Sequence, residues 1–150
     1  FIRPDELRYV RIGDISIKDQ TVYVHPEFAK NRKGQVVALN DNLLKIMIKQ
    51  KVFDHPSNEF LFGHKLVPGP EKIYVNQFRI EWAKVRKALG WPKSYQFYSL
   101  KDSGIRDLAN AEGIVVARDQ ARHSDVSVTN KYLKNSNVAH EETKHFKGEL

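Results

Sequence analysis

The stretch His123-Ser124-Asp125-Val126-Ser127-Val128-Thr129-Asn130-Lys131-Tyr132 places a histidine nine residues before a tyrosine, close to the end of the chain. A tyrosine hydroxyl can act as a covalent nucleophile toward phosphorus when cations and hydrogen-bond donors surround it. Alone, Tyr132 is typical of a residue at the edge of a core with its hydroxyl in water, and His123 of a cap or surface residue. The interpretation of this stretch therefore depends on what the rest of the sequence supplies.

The composition limits the class of protein. The chain has 150 residues, which suits one domain large enough to bury a core without metals or disulfides. It contains no cysteine, which excludes a disulfide framework or a thiolate metal site and is compatible with the cytoplasm. No apolar run is long enough to span a membrane. The net charge of +7 favours a polyanionic partner, although a basic domain without such a partner would have the same charge.

Residues 1–40 are predicted to form a short helix and a three-stranded antiparallel sheet. The helix should begin at Pro4, because proline fits the first turn and acidic residues follow it. Apolar residues between Ile15 and Val24 alternate with polar ones around a turn at 18–20, which is typical of a hairpin. The segment from Gln35 to Leu39 would add the third strand after a basic turn.

The remainder of the chain is predicted to be mainly helical. Helices are expected at about 41–50, 78–89, 99–111 and 115–122, and a further helix should carry Tyr132. Apolar residues from Phe78 to Leu89, Trp82 among them, recur at helical spacing, so we expect them to pack in a core rather than to stack on a ligand. The predicted fold class is therefore α+β, a mainly helical domain with a small three-stranded antiparallel sheet near the N-terminus.

Two basic positions near the start of the chain could bind or protonate a phosphate. Glu6 follows Arg3 by three residues and could hold its guanidinium as a fixed fork for phosphate, although such pairs are more often ordinary surface ion pairs. Lys30 lies between two predicted strands, where its ammonium group could donate a proton to a leaving oxygen. Lys30, Arg32 and Lys33 could equally form a solvated turn that touches phosphates non-specifically.

The order of these residues resembles the catalytic domain of the tyrosine recombinases, the phage-integrase family. Arg3-Pro4-Asp5-Glu6-Leu7 is similar to the first box of that family, an arginine followed three residues later by a glutamate and then a leucine. Asp14-Ile15 resembles the dipeptide that opens its small sheet, and Lys30 stands where the family keeps a hairpin lysine. The stretch from His123 to Tyr132 is similar to the closing box, including the nine-residue interval. The resemblance runs from Phe1 to about Leu133.

The middle box departs from the family pattern. The family usually has a histidine and, three residues later, an arginine, whereas this chain has Tyr98-Ser99-Leu100-Lys101. Tyr98 could still hydrogen-bond a phosphate, but Lys101 keeps the charge of arginine without its planar two-pronged contact. On an ideal helix Arg106 should point in a different direction from Lys101, so it is a poor substitute for the missing arginine. Arg122 stands where the family usually has a glycine, and it could add a positive group near the closing box.

The resemblance implies a site-specific DNA recombinase or integrase that breaks and rejoins strands through a 3′-phosphotyrosyl intermediate on Tyr132. It implies that Lys30 protonates the departing 5′ oxygen and that Glu6 supports the site. The catalytic residues so predicted are Arg3, Lys30, Tyr98, Lys101, His123 and Tyr132, and the predicted DNA contacts are Arg32, Lys33 and Arg122. No metal and no cofactor are expected, because side chains supply the cations.

The same resemblance implies double-stranded DNA as the partner and a tetramer on DNA in the full-length protein. Residues 1–150 would form the catalytic domain, as a fragment that lacks an N-terminal DNA-clamp domain and the first helices of the catalytic domain. The tail 134–150 would dock on a neighbouring subunit or fray. We also expect an origin in a phage or other mobile element and a location in the bacterial cytoplasm, at the nucleoid, with no membrane association.

Three alternatives remain. A DNA-binding relative of the same fold with impaired chemistry would also explain Lys101. A type IB topoisomerase would share the chemistry, although the short chain and the spacing of Ser127 and Thr129 before Tyr132 favour a recombinase. An unrelated basic RNA-binding domain should have exposed aromatic residues for stacking, whereas the aromatic residues here fall mostly on predicted core stripes.

Overall fold

The structure is a computed structural model and describes residues 1–133. Its regular elements are, in chain order, helix α1 (Pro4–Leu7), strands β1 (Ile15–Ser16), β2 (Thr21–Val24) and β3 (Gln35–Ala38), and helices α2 (Asp41–Lys49), α3 (Gln77–Ala88), α4 (Ser99–Glu112), α5 (Ile114–Ala121) and α6 (Val126–Asn130). Short 3-10 turns lie at Ile12–Asp14, Val52–Asp54 and His64–Leu66. The prediction of a mainly helical α+β domain with a three-stranded antiparallel sheet near the N-terminus is confirmed. The predicted docking tail, 134–150, lies outside the described residues.

The sheet forms where β-branched side chains alternate with polar ones, because that pattern fits a pleated strand with one buried face. β2 is the central strand and pairs antiparallel with both neighbours, so that Val22 lies opposite Ile15 on one side and Val37 on the other. Val22 and Val24 are buried, while Tyr23 between them is exposed. The first core cluster consists of Val10, Val22, Val24, Ala29 and Val37.

The hairpin turn begins earlier than predicted. β1 ends at Ser16, and Ile17, predicted to belong to the strand, is exposed in the turn. The hydroxyl of Ser16 donates to the carboxylate of Asp19 at 2.7 Å and accepts from its backbone N–H at 3.1 Å. These local hydrogen bonds compete with strand pairing and end it at this point.

The apolar stripe on α3 packs over only part of its length. Phe78 is buried and stacks on Phe97, with ring centroids 5.0 Å apart, and Trp82 contacts the same ring edge-on at 6.0 Å. Val85 and Leu89 are exposed, which corrects the prediction that the whole stripe packs in a core. Helical periodicity shows which residues share a face, but not how far a neighbouring element covers that face.

Two helix ends have residues well suited to capping. The side chain of Asn40 accepts a hydrogen bond from the backbone N–H of Leu43 at 2.8 Å and so caps α2. Gly90, with a φ of 66°, follows α3 in the left-handed conformation in which glycine avoids a Cβ clash. These residues set the boundaries of both helices.

A second core lies between α4 and α5. Ile105 is completely buried there, and Ala117 and Ala121 on α5 are equally enclosed, because small side chains let the two helices approach closely. Tyr132 packs against this cluster from the end of the described chain. Phe1 packs against both cores and so connects the sheet half of the domain to the helical half.

Tyr132 lies just beyond a helix and not within one. The carboxylate of Asp125 accepts from the backbone N–H of Ser127 at 2.6 Å and starts α6, which ends at Asn130. The backbone N–H of Tyr132 donates to the carbonyl of Thr129 at 3.0 Å in the turn that follows. The predicted helix is therefore present, but it stops before the tyrosine.

We expect the α4–α5 core to dominate the stability of the helical half. Ile105→Ala should lower the free energy of unfolding by about 2–5 kcal/mol, because it removes fully buried methyl groups and leaves a cavity. Leu100→Ala in the same helix should cost less than about 0.5 kcal/mol, since Leu100 is exposed. Urea denaturation measures both values. Equal losses in the two variants would contradict this assignment of the core.

Candidate active site

A buried carboxylate connects the predicted site residues. Glu6 is 2% exposed, and it accepts hydrogen bonds from the backbone N–H groups of Arg3 at 3.1 Å and Lys30 at 3.0 Å. It also accepts from Nη1 of Arg3 at 3.0 Å and forms an ion pair with Nη2 of Arg122. Burial by itself would raise the pKa of Glu6, but the N–H of Lys30 and the charge of Arg122 outweigh it, so the pKa is lowered. Glu6 is therefore an ionised acceptor that joins three segments of the chain.

Glu6 positions Arg3 and Lys30 in different ways. Arg3 is the residue before α1, and the carboxylate of Glu6 binds Nη1 of its guanidinium. The Arg3 side chain is still 21% exposed. Lys30 lies in the β2–β3 loop, where it was predicted, and Glu6 binds its backbone while the residue itself is exposed. Because Glu6 is buried, its pairing with Arg3 differs from the ordinary surface ion pair that was the alternative.

Lys101 is an enclosed ammonium group. The residue is 5% exposed on the first turn of α4, and its Nζ donates to the carbonyl of Phe1 at 2.6 Å and to the carbonyl of Ala121 at 3.3 Å. Burial lowers its pKa to about 8, and the charges of Arg3 and Arg122 lower it in the same direction. Lys101 therefore lies beside the two arginines and has given two of its three donors to backbone carbonyls.

His123 stacks on the candidate nucleophile. The rings of His123 and Tyr132 are inclined by 15°, with their centroids 5.9 Å apart. Nδ1 of His123 lies 2.9 Å from the hydroxyl oxygen of Thr129, which fixes the orientation of the imidazole. Burial lowers the pKa of His123, and the nearby charges of Lys101 and Arg3 lower it further. These effects favour the neutral form of the imidazole.

The hydroxyl of Tyr132 is surrounded by groups that keep it protonated. Burial raises its pKa, and the adjacent side chains of Tyr98 and Asp102 raise it as well. The charge of Arg3 acts in the opposite direction. Tyr98, the first residue of the altered middle box, therefore lies next to the nucleophile, although its own side chain is partly exposed.

Asp102 is a member of the cluster that sequence reasoning missed. Its Oδ1 is buried and has no hydrogen-bond partner among residues 1–133, and burial raises its pKa. It is close enough to Lys101 and Tyr132 to affect the pKa of each. No pattern in the sequence marks this carboxylate, because an acidic residue in the first turn of a helix is commonplace.

Arg122, predicted to contact DNA, is buried in the structure. Its side chain is 1% exposed and ion-paired to Glu6, so a direct contact with DNA would require the side chain to leave this position. The backbone at Arg122 has a φ of 59° and ends α5 in a left-handed conformation. Arg122 therefore occupies an internal position near Lys101, and its contact with DNA stays a prediction.

The remaining candidates are at the surface. Arg32 and Lys33 are exposed in the β2–β3 loop beside Lys30, where the sequence places them. Arg106 is largely exposed and pairs with the adjacent Asp107, away from the cluster, as expected of a poor substitute for the family arginine. Within the part of the chain that the structure describes, no group of three or more His, Cys, Asp or Glu side chains is placed to hold a metal ion.

Comparison with known proteins identifies the family. The sequence matches the profile of the Phage integrase family over residues 1–138. The chain belongs to the phage integrase family. This membership replaces the hypothesis of an unrelated RNA-binding domain. A search of curated proteins gave no match for this integrase-family chain.

Solved structures share its fold. The XerA recombinase superimposes with a TM-score of 0.73 at 18% sequence identity, covering 99% of this chain and 54% of that one. A Tn1549 transposon integrase in complex with a circular intermediate DNA gives a TM-score of 0.72 at 13% identity, covering 96% of this chain and 52% of the integrase. The same integrase in complex with transposon right end DNA gives a TM-score of 0.68 at 11% identity, with the same shares of the two chains covered, 96% and 52%. The fold is that of tyrosine recombinases, and this integrase-family chain spans about half the length of these relatives.

Removing the charge of Glu6 should destabilise the domain. Glu6→Gln leaves the buried guanidinium of Arg122 without its counter-ion, and we expect a loss of about 3–5 kcal/mol in the free energy of unfolding at neutral pH. The pKa of Glu6 is lowered in the folded state, so its contribution is present above the ordinary value of 4.5 and is lost as pH falls through the folded-state pKa. The difference between wild type and variant should therefore shrink below pH 4.5.

A matched control lies next to Glu6 in the same helix. Asp5 is exposed, so Asp5→Asn should change stability by less than about 0.5 kcal/mol. Chemical denaturation of the three proteins across a range of pH measures all these effects. A Glu6→Gln protein as stable as wild type at neutral pH would show that the carboxylate does not connect the site.

Proposed function

We propose that this integrase-family chain is the catalytic domain of a site-specific DNA recombinase whose nucleophile is Tyr132. One observation supports the proposal above all. Arg3, Lys101 and His123 are far apart in the sequence, yet Lys101 and Arg3 lie close enough to His123 for their charges to lower its pKa, and Arg3 likewise lowers the pKa of Lys101. Arg3 also acts on Tyr132, which stacks on His123. Cations and a hydrogen-bonding imidazole around a tyrosine hydroxyl are what attack on a phosphate requires.

In the proposed reaction the hydroxyl oxygen of Tyr132 attacks phosphorus in a DNA backbone. A bond forms between that oxygen and phosphorus, the bond from phosphorus to the 5′ oxygen breaks, and the phenolic proton passes to water. Lys30 donates a proton to the departing 5′ oxygen, which leaves as a hydroxyl group. The product is a 3′-phosphotyrosyl link that a 5′-hydroxyl of another strand can attack to reverse the step.

The charges of the cluster would stabilise the phosphate during this transfer. The Arg3 side chain is partly exposed, and the exposed Tyr98 would add a hydrogen bond. If Nδ1 of His123 accepts from the hydroxyl of Thr129, its proton lies on Nε2, from which it can be donated to a non-bridging oxygen. Lys101 contributes charge and its one remaining donor. Such preorganised groups act strongly because they need no reorganisation when charge develops.

The proposed partner is double-stranded DNA. The Tn1549 integrase of the same fold was solved in complex with DNA, and the exposed Arg32 and Lys33 together with the net charge of +7 suit a polyanion. We further propose a full-length protein with an N-terminal clamp domain, a tetramer on DNA, and an origin in a phage or other mobile element. The proposed location is the bacterial cytoplasm, at the nucleoid. No helix within residues 1–133 is long and apolar enough to cross a membrane.

A DNA-binding relative without strand-cleaving activity is the second candidate. Lys101 favours it, because this residue replaces the family's arginine, is almost completely buried and has two donors engaged by backbone carbonyls. Such a protein would bind DNA with the same surface but would not form a covalent complex. The two candidates therefore differ in one measurable product.

Covalent trapping on DNA tests the proposed chemistry. The full-length protein should form a protein–DNA complex that survives denaturing electrophoresis when it is given nicked duplexes from the DNA flanking its gene, because the released 5′-hydroxyl fragment diffuses away. Tyr132→Phe should abolish the complex, since it removes the attacking oxygen. Tyr74→Phe should leave it unchanged, because Tyr74 is an exposed tyrosine outside the cluster. Failure of the wild-type protein to trap DNA that it binds would favour the second candidate.

The rate of trapping should depend on the ionisation of Lys101. Its pKa is lowered to about 8, so the cation is present below that pH and is lost above it. At sub-saturating DNA concentrations the rate reflects the ionisation of the free protein. Loss of the Lys101 proton should then lower the rate roughly tenfold per pH unit above about pH 8. Lys101→Arg should extend the active range upward, because a guanidinium does not lose its proton there. Identical pH profiles would show that Lys101 does not act as a cation in the reaction.

A further inference from the structure

Arg122 has a backbone conformation that its residue type disfavours. With φ at 59° and ψ at 42° it lies in the left-handed region, where the Cβ of an L-residue crowds the carbonyl oxygen that follows. Glycine would end α5 at this position with less strain. The reason for an arginine here must therefore lie in its side chain.

The guanidinium of Arg122 is enclosed and only partly satisfied. Its side chain is 1% exposed, and Nη2 pairs with Glu6. Nε and Nη1 are buried and have no hydrogen-bond partner within residues 1–133. A guanidinium stays protonated in proteins, so the group is a full positive charge with unused donors. Unsatisfied buried groups in a native structure call for an explanation, and a function is one of them.

The charge of Arg122 belongs to the same cluster as the proposed phosphate ligands. Nζ of Lys101 donates to the carbonyl of the residue that precedes Arg122, and Arg3 shares the carboxylate of Glu6 with Arg122. Three cations here lie with two carboxylates, Glu6 and Asp102, which leaves positive charge in excess. A phosphodiester carries one negative charge and would balance this excess.

Given the proposed recombinase function, we propose that Arg122 is a positioning residue that supplies the permanent positive charge of the phosphate site which Lys101 does not. Arg122 does not touch DNA. It acts on the phosphate through a poorly screened interior, in which charges interact more strongly than in water, and it holds the carboxylate that fixes Arg3. The guanidinium that the resemblance leads one to expect at position 101 is in this way replaced by one at position 122.

The test compares DNA affinities in the full-length protein carrying Tyr132→Phe, so that no covalent step interferes. One duplex has an ordinary phosphate at the cleavage position, and a second has an uncharged methylphosphonate there. The ratio of the two affinities measures what the charge of that phosphate contributes. Arg122→Gly should lower the ratio by about tenfold, and Lys101→Arg combined with Arg122→Gly should restore most of it, because a permanent charge returns next to the same phosphate.

A merely structural role for Arg122 gives a different result. Arg122→Gly would then weaken binding of both duplexes equally, in step with its melting temperature, and the ratio would stay at the wild-type value; this outcome overturns the inference. If the glycine variant does not fold, Arg122→Gln replaces it in the comparison. Glutamine also removes the positive charge, and its amide can still donate a hydrogen bond to Glu6. Failure of the double variant, once shown to be folded, to restore the ratio also overturns the inference.

The proposed function can fail separately from this inference. If the protein with Tyr132 intact binds the nicked duplex without forming a covalent complex, yet the ratio still falls in Arg122→Gly, the proposed chemistry is wrong and the role of Arg122 at a phosphate site stands. If covalent trapping occurs and the ratio does not change, the recombinase function stands and the inference about Arg122 is wrong.

Discussion

The buried carboxylate of Glu6 is the constraint on which the site depends. A carboxylate that is almost completely enclosed is tolerated only when its charge and lone pairs are satisfied. Its partners come from the residue before α1, from the β2–β3 loop and from the end of α5, namely Arg3, Lys30 and Arg122. Satisfying one side chain therefore brings together three segments that are distant in sequence. The loop with the proposed proton donor and the arginine proposed to bind phosphate are placed by the same group.

The cluster lies at the junction of two hydrophobic cores. One core supports the sheet and the other fills the space between α4 and α5, and Phe1 packs against both. The ammonium of Lys101 donates to the carbonyl of Phe1, so a polar contact crosses the same junction. Arg3 and Lys101 are thus both held by contacts to packed elements, which is the arrangement that keeps functional groups precisely oriented. Tyr132 is the exception, since it lies on a turn and stacks on His123.

Local patterns in the sequence predict local structure, but they do not predict burial. Alternating valines indicate the hairpin, and capping residues such as Asn40 mark a helix start, because these signals act over a few residues. The burial of Arg122 could not be foreseen, because arginine is seldom buried without a partner and its partner is 116 residues away in the sequence. Val85 is exposed for a related reason, since a helical stripe does not reveal how far a neighbour covers it. Asp102 carries no recognisable motif and acquires significance only through its neighbours in space.

The excess of positive charge makes the site electrostatically unfavourable unless an anion is bound there. Burial and the adjacent arginines both lower the pKa of Lys101, and burial and neighbouring cations lower that of His123. Each shift reflects the free-energy cost of burying a charged group and, to a smaller extent, of placing it beside like charges. A phosphodiester among these groups would reverse the sign of the local interaction and raise both pKa values. By linkage, the protonation of Lys101 and the binding of a phosphate must then strengthen each other to the same extent. In the role proposed for it, a permanent charge at Arg122 avoids that dependence on pH, and this would be the physical advantage of a buried guanidinium near the lysine.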